Sequence, residues 1–169
     1  MGRWEWSNRW TAEESKSFPI TFLKKYGYLK QGQRYGGISW SSGGEKTGDI
    51  GFYTSIEGEK GFVNVQYTIT DKNTQKKEDF NYEIKLVTTP CYFGGYRWWF
   101  ICPLVVNNIP CSRRVGVLYF AGHRYLGCRH CHNITYESCK ESHKWDRMFR
   151  SLGVTAKGKK GIEEALKHF

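Results

Sequence analysis

Trp98-Trp99-Phe100-Ile101-Cys102-Pro103, Cys111-Ser112-Arg113-Arg114-Val115 and Tyr125-Leu126-Gly127-Cys128-Arg129-His130-Cys131 follow one another within residues 98–131. Four cysteines fall here in two groups. The second group, Cys128 and Cys131, has the C-x-x-C spacing that lets two thiolates reach one ion from a tight turn. The first group, Cys102 and Cys111, is C-x8-C, so its knuckle is a longer loop through Asn107-Asn108. Two knuckles with strands between them are the layout of a zinc ribbon. Four thiolates suit Zn2+, which accepts tetrahedral sulfur, and a full set leaves no open position for substrate. The expected ion is therefore structural, its binding energy part of the folding energy. A mixed site, with His123, His130 or His132 replacing one cysteine, is the alternative. An iron–sulfur cluster or four packed thiols are others. Cys91 and Cys139 read as spare thiols.

Upstream of this stretch the pattern is that of a sheet. Ile38 and Trp40 alternate with polar residues before Gly43-Gly44, and Ile50, Phe52, Thr54 and Ile56 do so after Gly48. Val63, Val65, Tyr67 and Ile69 alternate against Asn64, Gln66 and Thr68; Phe80, Tyr82, Ile84 and Leu86 alternate against Asn81, Glu83 and Lys85. A period of two puts one set on a core face and the other in solvent. Residues 57–61 and 71–76 read as turns, which predicts an antiparallel meander of about four strands. Before it, Thr11-Ala12-Glu13-Glu14 matches a capping box. Residues 20–26 read as a short helix ended by Gly27.

Thr89-Pro90-Cys91 and Gly94-Gly95 read as the joint to the metal-binding half. Residues 115–120 and 124–126 are expected to form the ribbon hairpin, with Ala121-Gly122-His123 at its turn. Beyond it Trp145, Met148, Phe149 and Leu152 are spaced as one helix face, with Lys140, Lys144, Arg147 and Arg150 beside or opposite it. Ile162, Ala165, Leu166 and Phe169 repeat the spacing after the basic residues 157–161. The expected fold is thus α+β, in three parts: residues 1–90 an antiparallel β-rich domain with short N-terminal helical turns, 91–137 the zinc ribbon, 138–169 a basic amphipathic helical tail.

The net charge of +10 is uneven. Residues 1–90 carry 13 Lys/Arg against 11 Asp/Glu, residues 91–169 carry 13 against 5, and all cysteines and histidines lie in the second part. A basic, metal-competent half points to a polyanionic partner. Arg113, Arg114, Arg124 and Arg129 cluster around the ribbon, and Lys140, Lys144, Arg147 and Arg150 line the tail; these are the candidate nucleic-acid contacts. Tyr119, Phe120, Tyr125 and Tyr136 interleave with them, either as stacking rings or as the ribbon's own small core.

No run approaches the ~20 apolar residues of a membrane span. The first residues lack a signal-peptide core, and six cysteines without one suggest metal before disulfides. A cytoplasmic, membrane-free location is the expectation. His130, Asn133 and His143 have the letters of an HNH nuclease, but their spacing is wrong and no acidic partner stands beside them. No Gly-rich phosphate loop, Ser-His-Asp set or paired carboxylate motif is present. A non-enzymatic nucleic-acid-binding protein is the leading expectation. The alternative is a protein-binding adaptor or inhibitor acting on a host protein or nucleoprotein complex.

Residues 89–95 (Thr-Pro-Cys-Tyr-Phe-Gly-Gly), Trp98-Trp99-Phe100-x-Cys102-Pro103, Cys111-x-Arg113-Arg114-Val115, Leu118-Tyr119, Cys128-Arg129-His130-Cys131-His132 and Tyr136-Glu137-Ser138 occur in that order. This resembles a family of small, largely uncharacterised bacterial zinc-ribbon proteins associated with mobile elements and phages. The specific motifs cover about half the chain. Members usually have a tighter first knuckle and commonly carry Gln where Cys139 stands. The resemblance implies zinc binding and a mobile-element or phage setting, with anti-defence inhibition among the roles it suggests; it supplies no activity.

Overall fold

A computed structural model describes residues 9–70, 75–121 and 124–141. The alternating segments form the expected meander. β2 (Gly32–Ser42), β3 (Glu45–Glu57), β4 (Lys60–Thr70) and β5 (Lys77–Pro90) pair antiparallel in chain order. Two-residue loops set the register. Gly43 and Gly44 both have positive φ, +60° and +86°, as the twist-matched hairpin turn demands. Gly58, at +60°, does the same between β3 and β4. With these turns fixed, Phe52 faces Val65. Across the next pair of strands Val65 faces Tyr82 and Val63 faces Ile84, on the same side of the sheet.

The sheet then continues past the meander. β6 (Tyr96–Ile101) pairs with β5, setting Leu86 opposite Phe100, and β9 (Arg114–Val115) pairs with β6. Trp98-Trp99-Phe100, at the head of the cysteine-bearing stretch, thus belongs to the fifth strand of a curled six-stranded sheet. The expected boundary at residues 90 and 91 falls inside this sheet. The chain divides into compact units at Met1–Ile134 and Thr135–Phe169. Strands dominate the described residues; their helices are α1 (Ile20–Lys25) and α2 (Glu137–Glu141). The architecture is therefore mostly β where the sequence suggested α+β. The tail helices expected over residues 145–152 and 162–169 lie outside the described residues.

The core lies on one face of the sheet. Ile50, Phe52, Ile56, Val63, Val65, Ile84, Leu86 and Phe100 are buried there. Against them pack Ile20 and Leu23 of α1, Phe18 of β1 (Lys16–Pro19), Leu118 of β10 (Val117–Phe120), and Leu126. Each such side chain contributes about 1.5–3 kcal/mol on burial. Phe18 has no solvent exposure and its ring lies 5.5 Å from Phe52 and 5.3 Å from Phe100, so β1 is anchored on two strands at once. β1 pairs with β10, Phe18 opposite Leu118.

Local signals at the N-terminal end are used as chemistry requires. Thr11 and Glu14 exchange the two capping-box hydrogen bonds, at 3.1 and 3.2 Å, around a turn that does not continue as a helix. α1 ends as its sequence suggests. Gly27 has φ +76°, its N–H reaches the Lys24 carbonyl, and the Tyr28 N–H reaches the Leu23 carbonyl at 2.9 Å. That is a Schellman ending, completed by the Phe22 and Tyr28 rings. The Tyr28 carbonyl then accepts from the buried Thr54 hydroxyl at 2.8 Å, which ties the helix end to β3.

Candidate metal site and basic surface

The first knuckle is a small hairpin. After Cys102-Pro103, β7 (Val105–Val106) and β8 (Ile109–Pro110) pair across Asn107-Asn108, whose φ angles of 52° and 63° build the tight turn. Asparagine tolerates this left-handed region better than most residues. The hairpin's length explains the x8 spacing: it carries Cys111 back to Cys102. The Cys111 N–H donates to the Leu104 carbonyl, and the Cys102 N–H to the Arg113 carbonyl, both at 2.9 Å.

The second knuckle is a tight turn. His132 N–H donates to Cys128 C=O at 3.2 Å, and Ile134 N–H to Arg129 C=O at 2.9 Å. It is delivered by residues 124–127, which are pinned on both sides. Tyr119 and Gly127 exchange two backbone hydrogen bonds at 2.8 and 3.1 Å. The Tyr67 hydroxyl donates to the Arg124 carbonyl at 2.6 Å, and the Leu126 N–H donates to the Tyr82 hydroxyl at 2.9 Å. Residues 124–126 thus lie on the sheet's tyrosines instead of forming a regular ribbon strand. Burial pushes the phenols of Tyr67 and Tyr82 above their ordinary range, so both stay protonated.

The two knuckles bring four sulfurs together. All four Sγ atoms lie within 4.8 Å of one another. Cys102 is 3.9 Å from Cys131, Cys111 is 3.7 Å from Cys128, and Cys128 is 3.5 Å from Cys131. A tetrahedron with metal–sulfur bonds of about 2.3 Å has edges of about 3.8 Å. A disulfide would require about 2.05 Å. The spacing fits a shared ion. Among the described residues the donor set is sulfur alone: His130 is exposed, and His132 is buried against Gly127. His123 lies outside the described residues. Cys91 and Cys139 are exposed.

Backbone donors aim at the sulfurs. Cys128 N–H reaches Cys102 Sγ at 3.3 Å and Cys131 N–H reaches Cys128 Sγ at 3.5 Å. Leu104 supplies a further N–H to Cys102, and Arg113 one to Cys111. Such donors favour thiolate. Without an ion they do not prevail everywhere. Burial pushes the Cys102 thiol up to about 11, and burial with the neighbouring thiols raises Cys131 as well. At Cys111 burial also acts upward, but the Arg113 N–H and the thiols of Cys131, Cys128 and Cys102 bring the net shift down. The cluster contains an excess of latent negative charge that a bound cation would stabilise.

The candidate basic contacts are only partly gathered. Arg113 and Arg114 are exposed beside the first knuckle. Arg124 is exposed and pairs with Glu78 at 2.5 Å. Arg129 is half-buried in the second knuckle. Lys140 belongs to α2, in the second compact unit; Lys144, Arg147 and Arg150 lie outside the described residues. Of the interleaved rings, Tyr119 is buried and Phe120 packs edge-on against Tyr67. Tyr125 is half exposed, with its ring against Phe80 and Tyr82. These three build the site's support. Tyr136 is exposed in the second unit. His130 and Asn133 bracket the second knuckle, where Asn133 takes φ 51° and donates its N–H to the His130 carbonyl.

Sequence reading missed two sets of residues. The backbone donors to sulfur have no side-chain signature. Four aromatics on the solvent face of the sheet did have one: Tyr35, Tyr53, Phe62 and Trp99 occupy positions that a period of two assigns to water. No helix among the described residues is long and apolar enough to cross a membrane. Comparison of the chain with protein-family models, with curated proteins and with solved structures returned no match.

Proposed function

We propose that the four cysteines hold one structural zinc ion and that the metal-braced surface binds nucleic acid without catalysis. The observation that carries this reading is the position of Arg113. Its carbonyl accepts from Cys102 and its N–H donates to Cys111, while its side chain stands exposed. Metal binding thus fixes the backbone that presents a cation. Arg114 follows on β9, opposite Ile101, also exposed. Four thiolates fill a tetrahedron, so the ion lacks the open position that catalysis requires. Thiolate donors favour zinc, which adds no redox chemistry. The positive charge of the second half, with Lys140, Lys144, Arg147 and Arg150, supplies further phosphate contacts and counterion release.

Elemental analysis of the purified protein is expected to give one zinc per chain; iron would colour the protein and overturn the assignment. Binding to duplex and single-stranded DNA and RNA across a salt series tests the rest. The double variant Arg113→Ala/Arg114→Ala is expected to lower the salt slope by roughly 1.4–1.8. Absence of binding to every nucleic acid at low salt would remove the reading. A second reading, an adaptor or mobile-element inhibitor acting on a host nucleoprotein complex, is favoured by the knuckle hairpin, where Val105 is 60% and Ile109 70% exposed. A partner captured from lysate that survives nuclease treatment would support it.

A further inference from the structure

The face of the six-stranded sheet opposite the core is built differently from an ordinary solvated face. Register places Tyr35 opposite Tyr53, Ser55 opposite Phe62, Phe62 opposite Lys85, and Val87 opposite Trp99. Cross-strand partners share a face, and the core residues occupy the alternate positions. Four aromatic rings therefore stand on the side turned away from the core. Tyr35 and Tyr53 are 5.7 Å apart between ring centroids, and Tyr53 and Phe62 are 5.9 Å apart. Tyr35 is 75% exposed, and Tyr53, Phe62 and Trp99 are partly exposed. From β2 to β6 the rings run diagonally: they cross four strand-to-strand steps, roughly 19 Å, with Phe62 and Trp99 each stepped two residues along and no ring of this face on β5.

Cations stand beside the rings. Lys85 is exposed next to Phe62, and Arg114 is exposed opposite Ile101 on the same face. The Arg97 guanidinium lies 4.2 Å from the Trp99 ring centroid, and the Trp99 indole N–H donates to the Thr89 hydroxyl at 2.9 Å, which fixes the ring. None of Lys85, Arg97 and Arg114 makes an ion pair among the described residues. Four carboxylates share the face by register: Asp49, which pairs with Lys46, Glu57 at the end of β3, Asp79, which accepts from the Thr68 hydroxyl, and Glu83 beside Asn64. They stand outside the Phe62–Lys85 pair and leave the Phe62–Lys85–Arg114 side cationic.

We infer that this sheet face is a stacking platform for single-stranded nucleic acid. Rings on a broad sheet require bases whose faces are free. A duplex keeps those faces inside its stack, whereas a single strand offers them, and its phosphates fall to the flanking Lys and Arg. The inference rests on the nucleic-acid reading given above and assigns it a strand class and a second surface. That surface belongs mainly to the half of the chain that carries little net charge, so total charge gives no hint of it.

The test uses the full zinc-loaded chain with an oligothymidylate and an oligouridylate of about 12 nucleotides, and a duplex control. Tyr35→Ala and Phe62→Ala are each expected to weaken single-strand binding by roughly 5- to 150-fold and duplex binding little. Lys85→Ala is expected to lower the single-strand salt slope by about 0.7. Circular dichroism and zinc content check that each variant is folded. Photocrosslinking of the unaltered chain, with peptide mapping, gives a measurement independent of any substitution; crosslinks on β2, β4 or β6 are expected. Should the unaltered chain bind single strands while the ring variants bind equally tightly, or should crosslinks fall only outside the sheet, the platform is overturned and the wider reading stands. A chain that binds duplex only also overturns it. A chain that binds neither overturns both.

Discussion

The backbone N–H of Cys128 points at the sulfur of Cys102, 3.3 Å away, so the second knuckle is hydrogen-bonded to the first through a prospective metal ligand. The same sulfur receives the Leu104 N–H. Each knuckle therefore helps set the geometry of the other, and the cluster should respond as one unit.

Replacing Cys102 or Cys128 with Ser is expected to remove the ion and destabilise the first compact unit by about 3 kcal/mol or more, roughly 10 °C in Tm. A strong chelator should give the same shift with the unaltered chain. Thermal unfolding monitored with zinc content checks both. Equal Tm with and without the ion would count against a structural metal.

Metal affinity should fall as the solution is acidified. The free cluster holds protons at Cys102, pushed up to about 11, and at Cys131, raised further by burial and neighbouring thiols. A bound metal ion would have to displace them, so lower pH favours the proton and higher pH the metal. Competition against a chromogenic chelator at pH 6, 7 and 8 should show apparent affinity rising across the series, after correction for the chelator's own protonation.

Tyr67→Phe deletes the donor to the Arg124 carbonyl and the contact with the Tyr82 hydroxyl 3.1 Å away. A loss of about 1–2 kcal/mol is expected from urea unfolding. Tyr82→Phe should cost a comparable amount, because the Leu126 N–H loses its acceptor. The double variant should lose less than the sum, since both hydroxyls hold the same segment.

Gly127 has no room for a side chain. A Cβ there would meet the Leu104 side chain and lie 2.6 Å from His132 Nε2. Gly127→Ala is expected to cost roughly 1–3 kcal/mol and to loosen the ion, because it forces the two knuckles apart. Zinc retention under mild chelation, compared with that of Gly116→Ala, where the nearest atom is 4.0 Å away, is the measurement.

The Arg124–Glu78 pair is exposed, with the two side chains 63% and 34% accessible. Glu78→Gln should change stability by less than about 1 kcal/mol. It should also free Arg124 and steepen the salt dependence of nucleic-acid binding. An unchanged slope would place Arg124 outside the binding surface.

Residues close in sequence carried much of this structure. Period-two alternation, with Gly43-Gly44 and Gly58, determined the meander and which face of it is buried. Gly27 determined where α1 stops, and Cys128-x-x-Cys131 marked a knuckle. These are nearest-neighbour effects, decided by backbone sterics and by which side chains avoid water. Only the tertiary structure decided that β6 joins the meander, that the four-residue β1 pairs with β10 through Phe18, and that Tyr67 and Tyr82 hold residues 124–126. Those outcomes depend on segments far apart in the chain burying each other's surface, and no local pattern encodes the choice of partner. The convergence of Cys102 and Cys111 with Cys128 and Cys131 combines both: spacing named the four residues, and the hairpin at Asn107-Asn108 together with the Cys128–Cys102 hydrogen bond set their distances.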